Sequence, residues 1–261
     1  MLNLISKKSV FALIALLFAF PLLSSVSAAN FYNKEVAGFY RFDVYKDTGK
    51  IRLKSSLPGE QFGTSLAKGD FNADGVMDLV VGSPFYSEEG RNWVGRVSIF
   101  YGSKDFQTGY KNLEKFPPDS VFIGDYENDQ LGSSLAAADL NDDGITDLII
   151  SAYHARSSDL EQRTGRVYVF LGKRERFPST IDLAKDPSDL TIIGKNGENN
   201  LGISMTTGDF NGDEQDDLAI TSLGVTHGDL KGTGKVNVLL SYPALFDIAH
   251  RKYDLESKPL K

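Results

Sequence analysis

The chain has 261 residues, a formal net charge of −7 and no cysteine. An acidic chain without clustered Lys and Arg excludes a nucleic-acid interface. The missing Cys excludes disulfides, thiolate chemistry and a lipidated anchor cysteine.

Taken in chain order, residues 1–29 read as an export signal. Lys7 and Lys8 precede an apolar run from Val10 to Leu23, and Ser24-Ser25-Val26-Ser27-Ala28-Ala29 supplies small residues for cleavage. At 14 residues, interrupted by Pro21, the run is short for a bilayer span, which needs roughly 20. Cleavage would leave 232 residues from Asn30, with a charge of −9 and no second run of membrane length. No Asn-x-Ser/Thr sequon occurs. With the missing Cys, this favours a secreted, periplasmic or cell-surface protein of bacterial origin. Gly38 to Tyr45 and Lys50 to Ser55 then read as two strands.

A tandem repeat dominates the rest. Phe62-Gly63-Thr64-Ser65-Leu66 recurs as Leu131-Gly132-Ser133-Ser134-Leu135 and Leu201-Gly202-Ile203-Ser204-Met205, at offsets of 69 or 70 residues. Asp70, Asp139 and Asp209 open equivalent loops, and Gly95-Arg96-Val97 recurs at Gly165 and, as Gly-Lys-Val, at Gly234. Each copy reads as short strands. Asp78–Gly82, Asp147–Ser151 and Asp217–Thr221 are brief apolar runs bounded by turn residues, and Arg96–Phe100 and Arg166–Phe170 are β-rich. Ser120–Gly124 and Leu190–Gly194 supply a fourth strand, for which copy three offers only Tyr253-Asp254-Leu255. Only Tyr242 to Arg251 is a candidate helix. Four antiparallel strands per repeat make the blade of a β-propeller, so the fold class is all-β. The expected divisions are the signal at 1–29, a half blade at 30–58, blade 1 at 59–125, blade 2 at 126–195, and blade 3 with a C-terminal tail at 196–261.

Between the first two strands of each copy lies an oxygen-rich loop. Copy one offers Asp70, Asn72, Asp74 and Asp78 at positions 1, 3, 5 and 9, with Gly75 at position 6 and the carbonyl of Val76 at position 7. Copy two offers Asp139, Asn141, Asp143 and Asp147 with Gly144 and the carbonyl of Ile145. Three carboxylates, an amide oxygen, a carbonyl and water match the six or seven hard oxygen ligands that Ca²⁺ takes, and suit Mg²⁺ less well. The EF-hand is excluded, because Val81 and Ile150 stand where its closing Glu belongs. Copy three keeps Asp209, Asn211, Asp213, Asp217 and the carbonyl of Gln215, but Glu214 replaces the glycine. A non-Gly residue costs about 1–2 kcal/mol in the left-handed region, so two Ca²⁺ sites and a weaker third are expected. The competing reading of these loops is plain Asx-type turns.

These motifs resemble the FG-GAP repeat of integrin α-chain propellers, which also occurs in phospholipase D acting on glycosylphosphatidylinositol. Copy one matches in Phe62-Gly63 and Gly82-Ser83-Pro84, while the other copies lose the Pro. The resemblance spans roughly Gln61 to Ser241. It implies structural Ca²⁺ in the hairpin loops and ligand recognition on loops at one face, here Tyr86–Trp93, His154–Thr164 and Val225–Thr233. Trp93, the single Trp, either anchors a protein or glycan ligand or packs between blades. His154, His227 and His250 are non-equivalent, and no catalytic motif is evident. The chain therefore reads as a non-enzymatic adhesion or ligand-binding module. The alternative is the non-catalytic propeller part of a secreted hydrolase, lyase or phospholipase. At about three and a half blades the ring is incomplete, since closed propellers have about four to eight. A homodimer completing a seven-bladed ring is one resolution.

Overall fold

The computed structural model describes residues 51–88, 90–103, 109–156, 163–194, 200–225, 230 and 232–241, with the strand backbone at 35–36, 39–40 and 251–254. The expected signal, residues 41–45 of the first expected strand and 242–250 of the candidate helix lie outside the described residues.

The chain divides into two compact units, Met1–Gly49 and Lys50–Lys261. In the first, β1 (Glu35–Val36) and β2 (Phe39–Tyr40) form an antiparallel hairpin. The second holds the repeats. It opens with β3 (Ile51–Lys54). Blade 1 follows with β4 (Ser65–Gly69), β5 (Asp78–Ser83) and β6 (Arg96–Phe100), then the strap strand β7 (Gly109–Asn112) and β8 (Ser120–Ile123). Blade 2 repeats this as β9 (Leu135–Ala138), β10 (Asp147–Ala152), β11 (Arg166–Phe170), β12 (Thr180–Asp182) and β13 (Leu190–Ile193). Blade 3 contributes β14 (Met205–Gly208), β15 (Asp217–Ser222) and β16 (Lys235–Leu239), and β17 (Arg251–Asp254) ends the series.

Each full blade is an antiparallel four-strand meander, β4-β5-β6-β8 and β9-β10-β11-β13. The fold is all-β and consists of propeller blades. A fifth strand is added that the sequence did not reveal. β12, from blade 2, pairs in parallel with β8 of blade 1, and β17 pairs in parallel with β13 of blade 2. In the same way β7 pairs in parallel with β3. Each blade thus lends a strap to the outer edge of the blade before it, which covers an edge that would otherwise template foreign strands. Two strand assignments change accordingly. Tyr253-Asp254, expected to complete blade 3, bonds to blade 2 instead. Phe39-Tyr40, expected to lie beside the strand at 50–55, pairs with β1.

The core lies between neighbouring blades. Phe71, Val80, Val97, Ile99 and Phe122 of blade 1 pack on Leu131, Leu135, Leu148 and Ile150 of blade 2. Ile149, Val167, Val169 and Ile192 pack on Leu201, Leu218 and Ile220 of blade 3. Blade 2 is covered on both faces, so every residue of β10 is buried. This is why its sequence reads as a continuous apolar run rather than an alternation. Close approach fixes certain glycines. Gly95 and Gly165, with φ of +82° and +80°, lie against the backbones of Leu131 and Leu201 in the following blade, leaving no room for a Cβ.

Candidate functional site

The loops between the first two strands of each blade adopt one conformation three times. In loop 1, Asp70 accepts hydrogen bonds from the backbone N–H groups of Asp74 (3.0 Å) and Gly75 (2.8 Å). Asn72 Nδ2 donates to Asp74 Oδ2 at 2.9 Å, and Val76 N donates to Asp74 Oδ1 at 2.9 Å. Loop 2 repeats these bonds through Asp139, Asn141, Asp143, Gly144 and Ile145. Loop 3 does so through Asp209, Asn211, Asp213, Glu214 and Gln215. Positions 1, 3 and 5 are thereby drawn together in every copy.

Position 9 has a different task. Buried Asp78 accepts from Phe71 N (3.0 Å) and from Gly102 N (2.8 Å), just beyond β6. Asp147 accepts from Leu140 N and Gly172 N, both at 2.9 Å, and Asp217 accepts from Phe210 N and Ser241 N. This carboxylate ties the loop to the end of the third strand. Burial, then the charges of Asp139 and Asp143, push the Asp147 carboxyl up to about 7 against the opposing pull of its two N–H bonds. Asp78 is raised by the same causes.

Among the described residues no three acidic or histidine side chains form a ready metal cluster. The loop carboxylates are turned onto backbone N–H groups instead. Each bonded carboxylate oxygen keeps a free lone pair, so the all-oxygen donor set still suits a hard cation.

The strain expected to single out loop 3 is present but shared. Glu214 has φ +69°, while Gly212 at position 4 has φ +83°. In loops 1 and 2 the roles are exchanged, with Ala73 (φ +54°) and Asp142 (φ +57°) at position 4 and Gly75 and Gly144 at position 6. Every loop carries one glycine and one non-glycine left-handed residue, so backbone strain gives no reason for a weaker third site. Glu214→Gly and Ala73→Gly are each expected to stabilise the chain by a similar ~0.5–1 kcal/mol, the relief of about 1–2 less the added chain entropy of glycine. Thermal melts check this, and a gain confined to Glu214→Gly would restore the original argument.

At the opposite end of the blades lie buried ion pairs that the sequence reading missed. Glu60 pairs with Arg96 at 2.8 Å, and Arg96 lies 4.4 Å over the Tyr86 ring. One repeat later, Arg166 pairs with Asp125 at 3.2 Å beside buried Asp129. Arg91 of blade 1 bonds Glu88 and reaches Asp182 on strap β12 at 3.0 Å. The spacing from Glu60 to Arg96 and from Asp129 to Arg166 follows the repeat, and that was the available signal. Burial, opposed by Arg166, pushes the Asp129 carboxyl up to about 7. Folded Asp129 therefore holds a proton that the unfolded chain releases near pH 4. Its contribution to stability is full below about pH 4 and fades as pH rises through about 7. Relative to Asp129→Asn, the native chain is expected to lose stability between about pH 4 and 7, by up to ~1 kcal/mol per pH unit, and to level off above. Parallel stability profiles for the two chains would contradict this.

The recognition loops are described in part. Trp93 is 49% exposed and stacks edge-on against Phe85 at 5.7 Å, rather than being buried between blades. His154 Nδ1 lies 3.0 Å from Arg163.

With this geometry in hand, similarity to known proteins is informative. The FG-GAP repeat family matches residues 62–100 and 131–170, the first three strands of blades 1 and 2. Phosphatidylinositol-glycan-specific phospholipase D of Rattus norvegicus is 35% identical over 206 residues, covering 78% of this chain and 22% of that protein. Integrin alpha-5 of Xenopus laevis is 32% identical over 186 residues, covering 70% and 16%. Integrin alpha-7 of Homo sapiens is 29% identical over 207 residues, covering 77% and 15%. The chain spans about a fifth or less of the length of these relatives. No helix among the described residues is long and apolar enough to cross a membrane. The chain thus carries FG-GAP repeats and is homologous over its blades to integrin α chains, which have an N-terminal β-propeller.

Proposed function

We propose that the chain is an exported, Ca²⁺-stabilised propeller module for adhesion or ligand binding, with no catalytic residues of its own. The observation that supports this is the threefold recurrence of one hydrogen-bonded loop with the same oxygen donors. Asp70, Asn72, Asp74, Asp78 and the Val76 carbonyl would hold one ion. Asp139, Asn141, Asp143, Asp147 and the Ile145 carbonyl would hold a second. Asp209, Asn211, Asp213, Asp217 and the Gln215 carbonyl would hold a third. A bound ion supplies positive charge among mutually repelling carboxylates and so links metal binding to folding. Ligands, protein or glycan, would meet the loops at the other end of the blades, where Trp93 and Tyr126 are exposed.

A second reading has an observation in its favour. The 35% identity to a phospholipase D fits a propeller part of a secreted hydrolase. Binding and turnover assays on the purified chain, against glycans, matrix proteins and phosphodiesters, separate the two. Saturable binding without turnover supports the first reading. Turnover lost in a loop variant overturns it.

Asp143→Ala checks the metal claim. Its exposed side chain is expected to matter little in EDTA. In Ca²⁺ it should remove most of the stabilisation from loop 2, ~2–4 kcal/mol at free Ca²⁺ a hundred to a thousand times the Kd. An equal loss with and without Ca²⁺, read by thermal melts, would contradict the assignment.

A further inference from the structure

The three aspartate loops are close copies, and their differences fall together in loop 3. Position 4, which follows the amides of Asn72, Asn141 and Asn211, holds Ala73, Asp142 and Gly212. In loop 3 alone, therefore, no Cβ shields the backbone nitrogen that follows the amide. That nitrogen can reach the side-chain carbon of Asn211, since only atoms of Asn211 itself lie between them, and the ring that closes is a succinimide. Tethered so closely, the two groups react as an intramolecular pair.

The hydrogen bonds of loop 3 set a partner beside each atom that such a reaction changes. Gly212 N donates to Asp209 Oδ1 at 2.6 Å, within the reach a base needs to take a proton. Asp213 N donates to Asn211 Oδ1 at 2.9 Å, where negative charge gathers as the nitrogen attacks. Asn211 Nδ2, the leaving group, donates to Asp213 Oδ2 at 2.8 Å. Loops 1 and 2 are set less closely. There the position-5 N–H groups lie 3.3 Å from Asn72 Oδ1 and Asn141 Oδ1. Asp70 Oδ1 and Asp139 Oδ1 accept from the N–H of position 5, whereas Asp209 Oδ1 accepts from position 4 as well.

We propose that Asn211 is a self-modifying residue, whose side-chain amide is expelled by the Gly212 nitrogen to leave an aspartyl or isoaspartyl residue in its place. As the bond from Gly212 N to Asn211 Cγ forms, the Gly212 proton passes to Asp209 Oδ1. The Cγ–Nδ2 bond then breaks, and the departing nitrogen takes up that proton and leaves as ammonia. Solvent water opens the succinimide, and no oxidation state changes. Opening at Cγ gives an aspartyl residue on an unaltered backbone. Opening at the backbone carbonyl gives an isoaspartyl residue, with the chain rerouted through Cβ and one atom longer. Either product sets a carboxylate against Asp213 Oδ2 where the amide had donated, so loop 3 loosens while loops 1 and 2 keep their form. The change is one-way and confined to one blade.

The chemistry needs no bound ion, so the test is run on the full chain in EDTA and its outcome is separate from that of the Ca²⁺ reading. After incubation in mildly alkaline buffer, peptide mapping by mass spectrometry should show NH₂ exchanged for OH at Asn211. The rate there should exceed that at Asn72 and Asn141 on the order of tenfold. Gly212→Ala should slow conversion on the order of tenfold, and Ala73 at the same position of loop 1 shows that the fold accepts the side chain. Asp209→Asn keeps an oxygen acceptor but no base, and should slow conversion several-fold. Asn196-Gly197 is the same pair elsewhere in the chain, and Asp209→Asn should leave its rate unchanged. Equal rates in the three loops, or an Asn211 that stays intact, would overturn the proposal. So would an Asp209→Asn chain that converts as fast as the native one, or that slows equally at Asn196.

Discussion

Gly165→Ala is expected to cost ~2–5 kcal/mol. A Cβ at this position would lie 2.5 Å from the Leu201 nitrogen and nearer still to its carbonyl oxygen, at a φ of +80°. Neither neighbour is a flexible side-chain tip, so blade 3 must shift away from blade 2. Overpacking of this kind costs about 1–3 kcal/mol, and the left-handed backbone adds about 1–2. At roughly 2–4 °C per kcal/mol for a unit of this size, the melting temperature should fall by ~5–15 °C. The control is Gly234→Ala at the same repeat position. There only the backbone cost of about 1–2 kcal/mol applies, because a Cβ would meet nothing nearer than the Ser222 carbonyl at 3.8 Å. Equal losses at the two glycines would show that blade contact is not what the glycine serves.

Asp147→Ala is expected to cost ~2–5 kcal/mol, in EDTA as well as in Ca²⁺. The side chain is wholly buried and accepts from Leu140 N and Gly172 N. Its removal strands two buried N–H donors, each worth about 1–3 kcal/mol unsatisfied. Asn is a poor substitute, because its amide NH₂ must face one of those same donors. The loss in EDTA sets this residue apart from Asp143, whose effect should appear only when metal is present; in Ca²⁺ the missing ligand adds to it. Chemical denaturation in both buffers measures the difference. A loss seen only in Ca²⁺ would mean that the two backbone bonds contribute nothing.

Much of this architecture was legible because the repeat is so regular. Phe62-Gly63, Leu131-Gly132 and Leu201-Gly202 mark each blade, and the apolar runs at Asp78, Asp147 and Asp217 gave the second strands. The strap strands escaped notice for a physical reason. Thr180–Asp182 and Gly109–Asn112 are only three or four residues long, and they pair with a different blade. Nothing local to such a segment encodes its partner. The recurring Asn112-Leu113, Asp182-Leu183 and Asp254-Leu255 was the trace available. Asn112 and Asp182 each cap the turn after a strap through an N–H two residues on.

In the loops, oxygen spacing at positions 1, 3, 5 and 9 gave the donor set, and Gly75 and Gly144 gave the curl. The second left-handed residue stayed hidden, because Ala73 and Asp142 carry no glycine signal. Only Gly212 in copy three betrays that position, and read together with Glu214 it reverses the inference about strain. The double use of Asp78 and Asp147 was equally invisible, since Gly102 and Gly172 lie 24 and 25 residues downstream.

Ca²⁺ binding in these loops is tested most directly by calorimetric titration of the metal-free chain with Ca²⁺, paired with melts before and after EDTA. Saturable binding at three comparable sites, with a melting temperature that rises in Ca²⁺ and falls back in EDTA, is the expected result. A flat titration with superimposable melts would contradict it, leaving the aspartate loops as hydrogen-bonded turns and nothing more.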